Sequence, residues 1–282
     1  MIQVCCYNCG SDQRRFFATE NGFTLMKCSE CGLLYVTPRP KEEEISKGHQ
    51  TGLHQGESPL CVTGTFSKTK VKSYCKILED LDQQQLRKGQ HTWLDIGCGH
   101  GEFMKALIEF SGGHVIARGL EPNVMKQKQA CKRGLDVSYF SLDRHMQQYD
   151  FVSLLNVYSH LPNPPDFFMT CRKVLKPGGC LLLETGDTAN LSIKESPRPF
   201  CLPDHLSFAS EEIISNILRR CGFEIVAVRK YAAQTFGYVR VIKELIKLVL
   251  PKKKSQLFDL TNQFKLCRKY TTDMYILATM KS

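Results

Sequence analysis

From about residue 90 onward, short apolar runs alternate with stretches whose apolar positions return every three or four residues. The runs Thr92 to Ile96, Val115 to Leu120, Val137 to Phe140, Phe151 to Leu155 and Cys180 to Glu184 have the length and composition of strands. Helices are expected to start near Gly101, Asn123 and Pro164, and again after Ser210, where Glu211 and Glu212 suit the positive end of a helix dipole. Two last strands are expected at Phe223 to Arg229 and Met274 to Met280. Such alternation predicts an α/β fold, a doubly wound parallel sheet covered by helices on both faces. Ahead of it, Val71, Tyr74, Cys75, Leu78 and Leu81 fall at helical spacing between Phe66 and Leu86, with Gly89 as the stop.

The first 36 residues read differently, with two CxxC pairs and few long apolar runs before Pro38 and Pro40. The expected organisation is a mini-domain over 1–40, a linker over 41–65 and the α/β domain over 66–282. The segment of about 232–272 is too long for a hairpin loop and is read as an insertion in that domain.

Composition narrows the classes of function. With 282 residues, 42% of them hydrophobic, the chain can bury a full core, which excludes disorder as its main state. No run of about 18 apolar residues and no secretory leader pattern occurs, so a cytoplasmic protein is expected. Fourteen cysteines in a chain of this kind point to reduced thiols or metal ligands rather than a disulfide scaffold. The net charge is +10, and residues 240–282 carry ten Lys or Arg against three acids. Within that stretch, Ile242, Leu245, Ile246 and Val249 share one helical face and three lysines follow Pro251. A basic amphipathic helix at 239–254 would suit peripheral contact with a membrane, or would pack its apolar face on the domain and leave the lysines solvated.

Cys6 and Cys9, and Cys28 and Cys31, are each separated by two residues, and 18 residues lie between the pairs. Four thiolates at this spacing close a tetrahedral zinc site with no open position, hence a structural one. Gly10 and Gly32 follow each pair where a tight knuckle favours positive φ, and Cys5 stands as an alternative to Cys6.

The segment Trp93-Leu94-Asp95-Ile96-Gly97-Cys98-Gly99-His100-Gly101 places three glycines between a strand and a helix, room for a ligand against the main chain. Glu102 occupies the position where a dinucleotide fingerprint needs its third glycine. With Glu121 ending the second strand, Tyr149-Asp150-Phe151-Val152 opening the fourth, and Leu175-Lys176-Pro177-Gly178-Gly179 turning into the fifth, residues 90 to 230 resemble a class I S-adenosylmethionine-dependent methyltransferase, a Rossmann-like fold. The resemblance implies S-adenosylmethionine as cofactor, with Asp95, Gly97, Gly99 and Gly101 along its methionine part, Glu121 on the ribose, Ser141 and Leu142 at the adenine edge and Asn156 near the sulfonium. Asp143 is the fallback acid for the adenine amine.

Three further elements bear on the acceptor. Asn163-Pro164-Pro165-Asp166 is read as a helix start with proline in its first turn. His160 resembles a histidine that follows the fourth strand in many small-molecule methyltransferases, and could equally serve packing. Pro203-Asp204-His205-Leu206 resembles the Glu-His or Asp-His element of sugar and other small-molecule methyltransferases that also carry an N-terminal zinc module. That likeness implies a small hydroxylated or carbohydrate-like acceptor, with His205 as general base and Asp204 orienting it; Glu184 competes for the role of base. Two other functions compete: an RNA methyltransferase gripping nucleic acid through the zinc ribbon, and a non-catalytic cofactor-binding or scaffold protein. Residues 1–40 are close to charge balance, so no basic stripe marks the ribbon for nucleic acid.

Overall fold

The computed structural model describes residues 1–140, 142, 145–232 and 272–281. Ser141, Asp143 and the basic insertion with its 239–254 segment lie outside the described residues.

The N-terminal strands β1 (Arg14–Glu20) and β2 (Phe23–Cys28) form an antiparallel hairpin. Its two-residue turn is Asn21-Gly22, both with positive φ, the sequence and geometry that match the twist of a hairpin. Strand β3 (Leu34–Val36) adds antiparallel to β2. Segment 41–65, expected to be a linker, instead holds helix α1 (Glu42–Thr51) and the short hairpin β4 (Leu53–His54) and β5 (Leu60–Cys61). The helix forms because Glu42, Glu43 and Glu44 face its positive end, the Glu44 carboxylate accepts the Lys41 N–H at 2.8 Å, and Gly52 closes it at φ 74°.

Helix α2 (Lys68–Asp80) begins at the Ser67 cap and stops earlier than its apolar spacing suggests. Asp82 takes φ 54° and ends the helical path, and Leu86 is buried by a 3₁₀ turn instead. Beyond it come β6 (His91–Ile96), α3 (Glu102–Ser111), β7 (Val115–Glu121), α4 (Val124–Lys132), β8 (Asp136–Tyr139), β9 (Tyr149–Leu155), α5 (Pro164–Lys173), β10 (Leu175–Gly186), β11 (Ser207–Phe208), α6 (Glu211–Arg220), β12 (Phe223–Ala232) and β13 (Thr272–Met280). All seven expected strands and the four expected helix starts are present.

Seven strands form one sheet in the order β12-β13-β10-β9-β6-β7-β8. The run from β10 to β8 is parallel, but β13 is antiparallel to both its neighbours, so the sheet is mixed rather than the parallel one expected. Successive side chains point to opposite faces, so Trp93 joins a core with α2 and α3 while Leu94 joins one with α5 and α6. Trp93 stacks on Phe151 with centroids 4.5 Å apart, locking β6 to β9. The chain order reverses on either side of β6, so a crevice opens at the carboxyl ends of β6, β7 and β9.

The N-terminal hairpin is tied to this domain. Strand β11, from the loop that carries Asp204 and His205, pairs antiparallel with β3 as the fourth strand of the ribbon sheet. Leu25, Leu34 and Val36 lie in one core with Leu183, Phe200 and Leu202.

Candidate active site

Two halves meet at the carboxyl edge of the sheet. In the first, Ile96 ends β6 and the chain turns through Gly97, Gly99 and Gly101, all with positive φ, into α3. A Cβ at Gly97 would stand 2.5 Å from Val157 Cγ2, so packing demands glycine there. A Cβ at Gly99 would meet nothing within 4 Å: this turn faces open space where a ligand can approach the backbone.

Three buried carboxylates lie at or near the carboxyl ends of β6, β7 and β10, and one of them, Glu121, bonds this turn. Glu121, at the end of β7, accepts the Gly99 N–H at 2.7 Å through Oε2 and the Asn123 N–H at 2.8 Å through Oε1. Burial raises its pKa and those two backbone donors oppose the rise. Asp95 Oδ1 accepts the Ser153 hydroxyl at 2.6 Å, and Ser153 Oγ accepts the Trp93 Nε1–H at 2.9 Å. Burial pushes the Asp95 carboxyl up to about 7, with the charges of Glu121, Glu102 and Glu184 adding to the rise. Glu184, near the end of β10, accepts the Tyr275 hydroxyl at 2.7 Å and the Tyr74 hydroxyl at 3.4 Å, and burial pushes it to about 7 as well. A cup of acids at three strand ends favours a cationic ligand.

Asn156 follows β9 in the left-handed region at φ 57°, its backbone N–H bonded to the Glu184 carbonyl at 3.1 Å and its side chain, though exposed, bonded to the Glu184 carboxylate. Leu142 is buried. Two groups outside the sequence reading belong here: His100 Nδ1 and Asn123 Nδ2 are buried beside Glu121 without a hydrogen-bond partner. His100 Nε2 lies 3.0 Å from the Thr63 carbonyl, so the 41–65 segment crosses the glycine loop.

The second half is a histidine cluster. Asp204 is buried, and its Oδ1 lies 3.0 Å from His54 Nε2 and 3.1 Å from His160 Nδ1. The His160 ring stands edge-on to His205 at 4.8 Å and to His49 at 5.8 Å, and His49 packs on His54 at 5.6 Å. Four of the eight histidines of the chain thus gather around one carboxylate, from α1, β4, the turn after β9 and the loop before β11. Asp204 and His205 are adjacent in the chain, yet the carboxylate bonds His54 and His160, and His205 Nδ1 is buried without a partner. Burial alone would raise the Asp204 pKa, but the bonds from His160 and His54 hold it well below the usual carboxylate range. Burial also works against charge on His160, and there the bonds and charge of Asp204 win and raise its pKa. His205 and His49 are both lowered to about 4 by burial, with the charge of His160 adding to it. The sequence reading included Asp204, His205 and His160 and missed His49 and His54, which sit in the segment read as a linker.

In the ribbon, the Sγ atoms of Cys6 and Cys31 are 3.5 Å apart, as are those of Cys9 and Cys28, and all four lie within 4.8 Å of one another. A tetrahedral zinc site with bonds of about 2.3 Å needs sulfur separations of about 3.8 Å, which this cluster nearly meets. Cys5 is exposed, outside the cluster. Gly10 and Gly32 both take φ 77°, and their N–H groups bond back to the Cys6 and Cys28 carbonyls. Between the first two cysteines, the Tyr7 hydroxyl donates to Ser207 Oγ at 2.8 Å and lies 2.6 Å from the Tyr158 hydroxyl. The ribbon therefore braces both segments that carry His160 and His205.

Comparison with known proteins gives matching findings. A family model described as a methyltransferase domain matches residues 68–228. The ubiquinone biosynthesis O-methyltransferase of Shewanella pealeana is 30% identical over 100 residues, which are 33% of this chain and 42% of that protein. The chain thus spans less than half the length of this curated relative. Among solved structures, a mycolic acid cyclopropane synthase complexed with SAH has 14% identity and a TM-score of 0.52, over 72% of this chain and 83% of the other. Coclaurine N-methyltransferase bound to N-methylheliamine and SAH has 13% identity and a TM-score of 0.51, over 77% and 74%. At such identities the likeness is one of fold. Among the described residues, no helix is long and apolar enough to cross a membrane.

Proposed function

The chain belongs to the methyltransferase-domain family, matched over residues 68–228, and from that premise we propose that it transfers a methyl group from S-adenosylmethionine to a small hydroxylated or carbohydrate-like acceptor. The observation that carries this reading is one turn, Asn156 to His160, which leads from the carboxylate cup directly to the histidine cluster. A cationic cofactor and a proton acceptor are thereby served by neighbouring ends of one crevice.

Glu121, pinned by two backbone donors, keeps lone pairs for the ribose hydroxyls. Asp95 and Glu184 offset the positive charge of the cofactor, and Asn156, whose side chain bonds Glu184, is assigned by its position in the sequence to the neighbourhood of the sulfonium. Leu142, buried in the core, and Ser141, outside the described residues, are assigned to the adenine edge by their position in the sequence alone. When bound, the cofactor supplies an electrophilic methyl group on sulfur. His205 Nδ1, buried and unpartnered, accepts the proton of the acceptor as the methyl group moves. Asp204 is a positioning residue: it anchors His54 and His160 around the site and makes no bond to His205 Nδ1. Glu184 is already bonded by two tyrosines, which suits charge compensation better than proton abstraction. Cys6, Cys9, Cys28 and Cys31 hold one structural zinc ion, with no open position for chemistry. The pairing of β3 with β11 turns the ribbon toward the pocket, which supports bracing of the acceptor loop over a grip on nucleic acid.

A screen of hydroxylated metabolites with cofactor carrying a labelled methyl group tests the reading. A labelled acceptor is expected with the wild type, and His205→Ala should lower its turnover by about a hundredfold or more, the usual worth of proton-transfer catalysis. Near-normal turnover in that variant would remove His205 from the chemistry.

A further inference from the structure

The histidine cluster offers more ligand atoms than one proton transfer needs. A ring nitrogen of His49, a ring nitrogen of His54 and a carboxylate oxygen of Asp204 lie within 4.8 Å of one another. His49 Nε2 is buried with no hydrogen-bond partner, an imidazole held beside a carboxylate without a bond to it. The backbone is shaped to bring these groups together. A Cβ at Gly48 would stand 2.5 Å from His54 Nδ1, so only glycine lets the His54 ring lie on helix α1 beside His49. Gly52, at φ 74°, reverses the chain between the two histidines. On the far side, His160 Nδ1 bonds both the side chain and the backbone carbonyl of Asp204, at 3.1 and 2.9 Å, the outer support that ligating carboxylates usually receive.

We propose that His49, His54 and Asp204 bind a divalent first-row transition-metal ion on the acceptor side of the crevice, separate from the four-cysteine site. Two imidazoles and a carboxylate suit zinc, cobalt or iron(II), and three protein ligands leave coordination positions open to water or to an acceptor oxygen. His205, with His160 and Asp204, forms a second group within 4.8 Å, but there His160 Nδ1 is already bonded to Asp204; an ion held by that group instead would persist when His49 or His54 is replaced. The binding claim needs nothing from the proposed methyl transfer and is read without turnover.

The test is metal stoichiometry on the full chain, by equilibrium dialysis against cobalt(II) with elemental analysis, starting from protein that keeps its ribbon metal. The wild type should hold about two ions per chain, one in the thiolate site and one in the nitrogen and oxygen site, as two separate donor sets require. His49→Gln and His54→Gln should each hold about one, with a thermal melt taken before cobalt is added like that of the wild type as the sign of an intact fold. The cobalt spectrum gives a second readout that needs no variant: the added ion should show no thiolate charge-transfer band. A wild type that takes up only the ribbon metal, or a second ion that persists in both glutamine variants, would overturn the proposal.

Discussion

The proposed cofactor half and the proposed acceptor half of the crevice are built by different rules. In the cofactor half, Asp95, the glycine turn, Glu121 and Glu184 lie at or next to strand ends, so the sheet itself sets their positions. In the acceptor half, no strand of the large sheet contributes a ligand. His49 and His54 come from 41–65, His160 from a 3₁₀ turn, and Asp204 and His205 from a loop braced by the ribbon. The first half is a property of the fold and the second a property of how three separate segments converge on it. Damage to one should therefore leave the other largely intact.

The strongest way to break that separation is Gly99→Val. A β-branched residue at φ 57° is strained, and its side chain enters the open space over the turn. Affinity for S-adenosylmethionine should fall about a hundredfold or more, equivalent to about 2.7 kcal/mol, while the metal content of the ribbon stays unchanged. Equilibrium dialysis with labelled cofactor and elemental analysis read both.

A smaller effect follows from pH. Burial pushes Asp95 and Glu184 up to about 7, and a cationic cofactor favours their ionised forms. Lowering the pH from 8 to 6 should weaken cofactor binding by about tenfold and make binding release protons below neutrality. Calorimetry in buffers of different ionisation enthalpy counts those protons. On the stability of the cofactor-free protein the sign is opposite. These raised values favour the folded state fully below the ordinary carboxylate range, and that contribution is lost as the pH rises through 7. Thermal melts across this range should show the decline.

The mildest expected change tests the brace. Cys28→Ser should abolish the ribbon metal and loosen β2 and β3, and with them the β11 pairing and the Tyr7 contacts to Tyr158 and Ser207. Turnover should drop by about severalfold to tenfold, with cofactor affinity nearly unchanged, because the carboxylate cup stands on other strands. A cofactor affinity that collapses along with the ribbon would show the two halves to be one cooperative unit.

The same contrast explains what was legible in the sequence. Strand periodicity, the caps Asn123 and Ser210, and the glycine turn act over a few residues, so the strands, the helices and the place of Glu121 at a strand end could be read directly, whereas the antiparallel course of β13 could not. The two CxxC pairs were equally local, though the choice of Cys6 over Cys5 needed the cluster itself, where Cys6 is buried and Cys5 exposed. His49 and His54 carried no such mark, because their meaning depends on Asp204 some 150 residues later in the chain. A polar, histidine-containing stretch reads as a linker unless Gly48, Gly52 and Gly56 are recognised as sites of close approach. Chain adjacency also misled: Asp204 precedes His205, yet its bonds go to His54 and His160.

The most direct test of the account is calorimetric S-adenosylmethionine binding to three proteins side by side: wild type, Glu121→Ala and His205→Ala. The wild type should bind. Glu121→Ala should lose about tenfold to a hundredfold in affinity, the worth of charge-assisted hydrogen bonds to the ribose, and His205→Ala should bind like the wild type. A wild type that does not bind the cofactor, or a Glu121→Ala protein that binds it as tightly as the wild type, would contradict the assignment of the carboxylate cup and with it the methyltransferase reading.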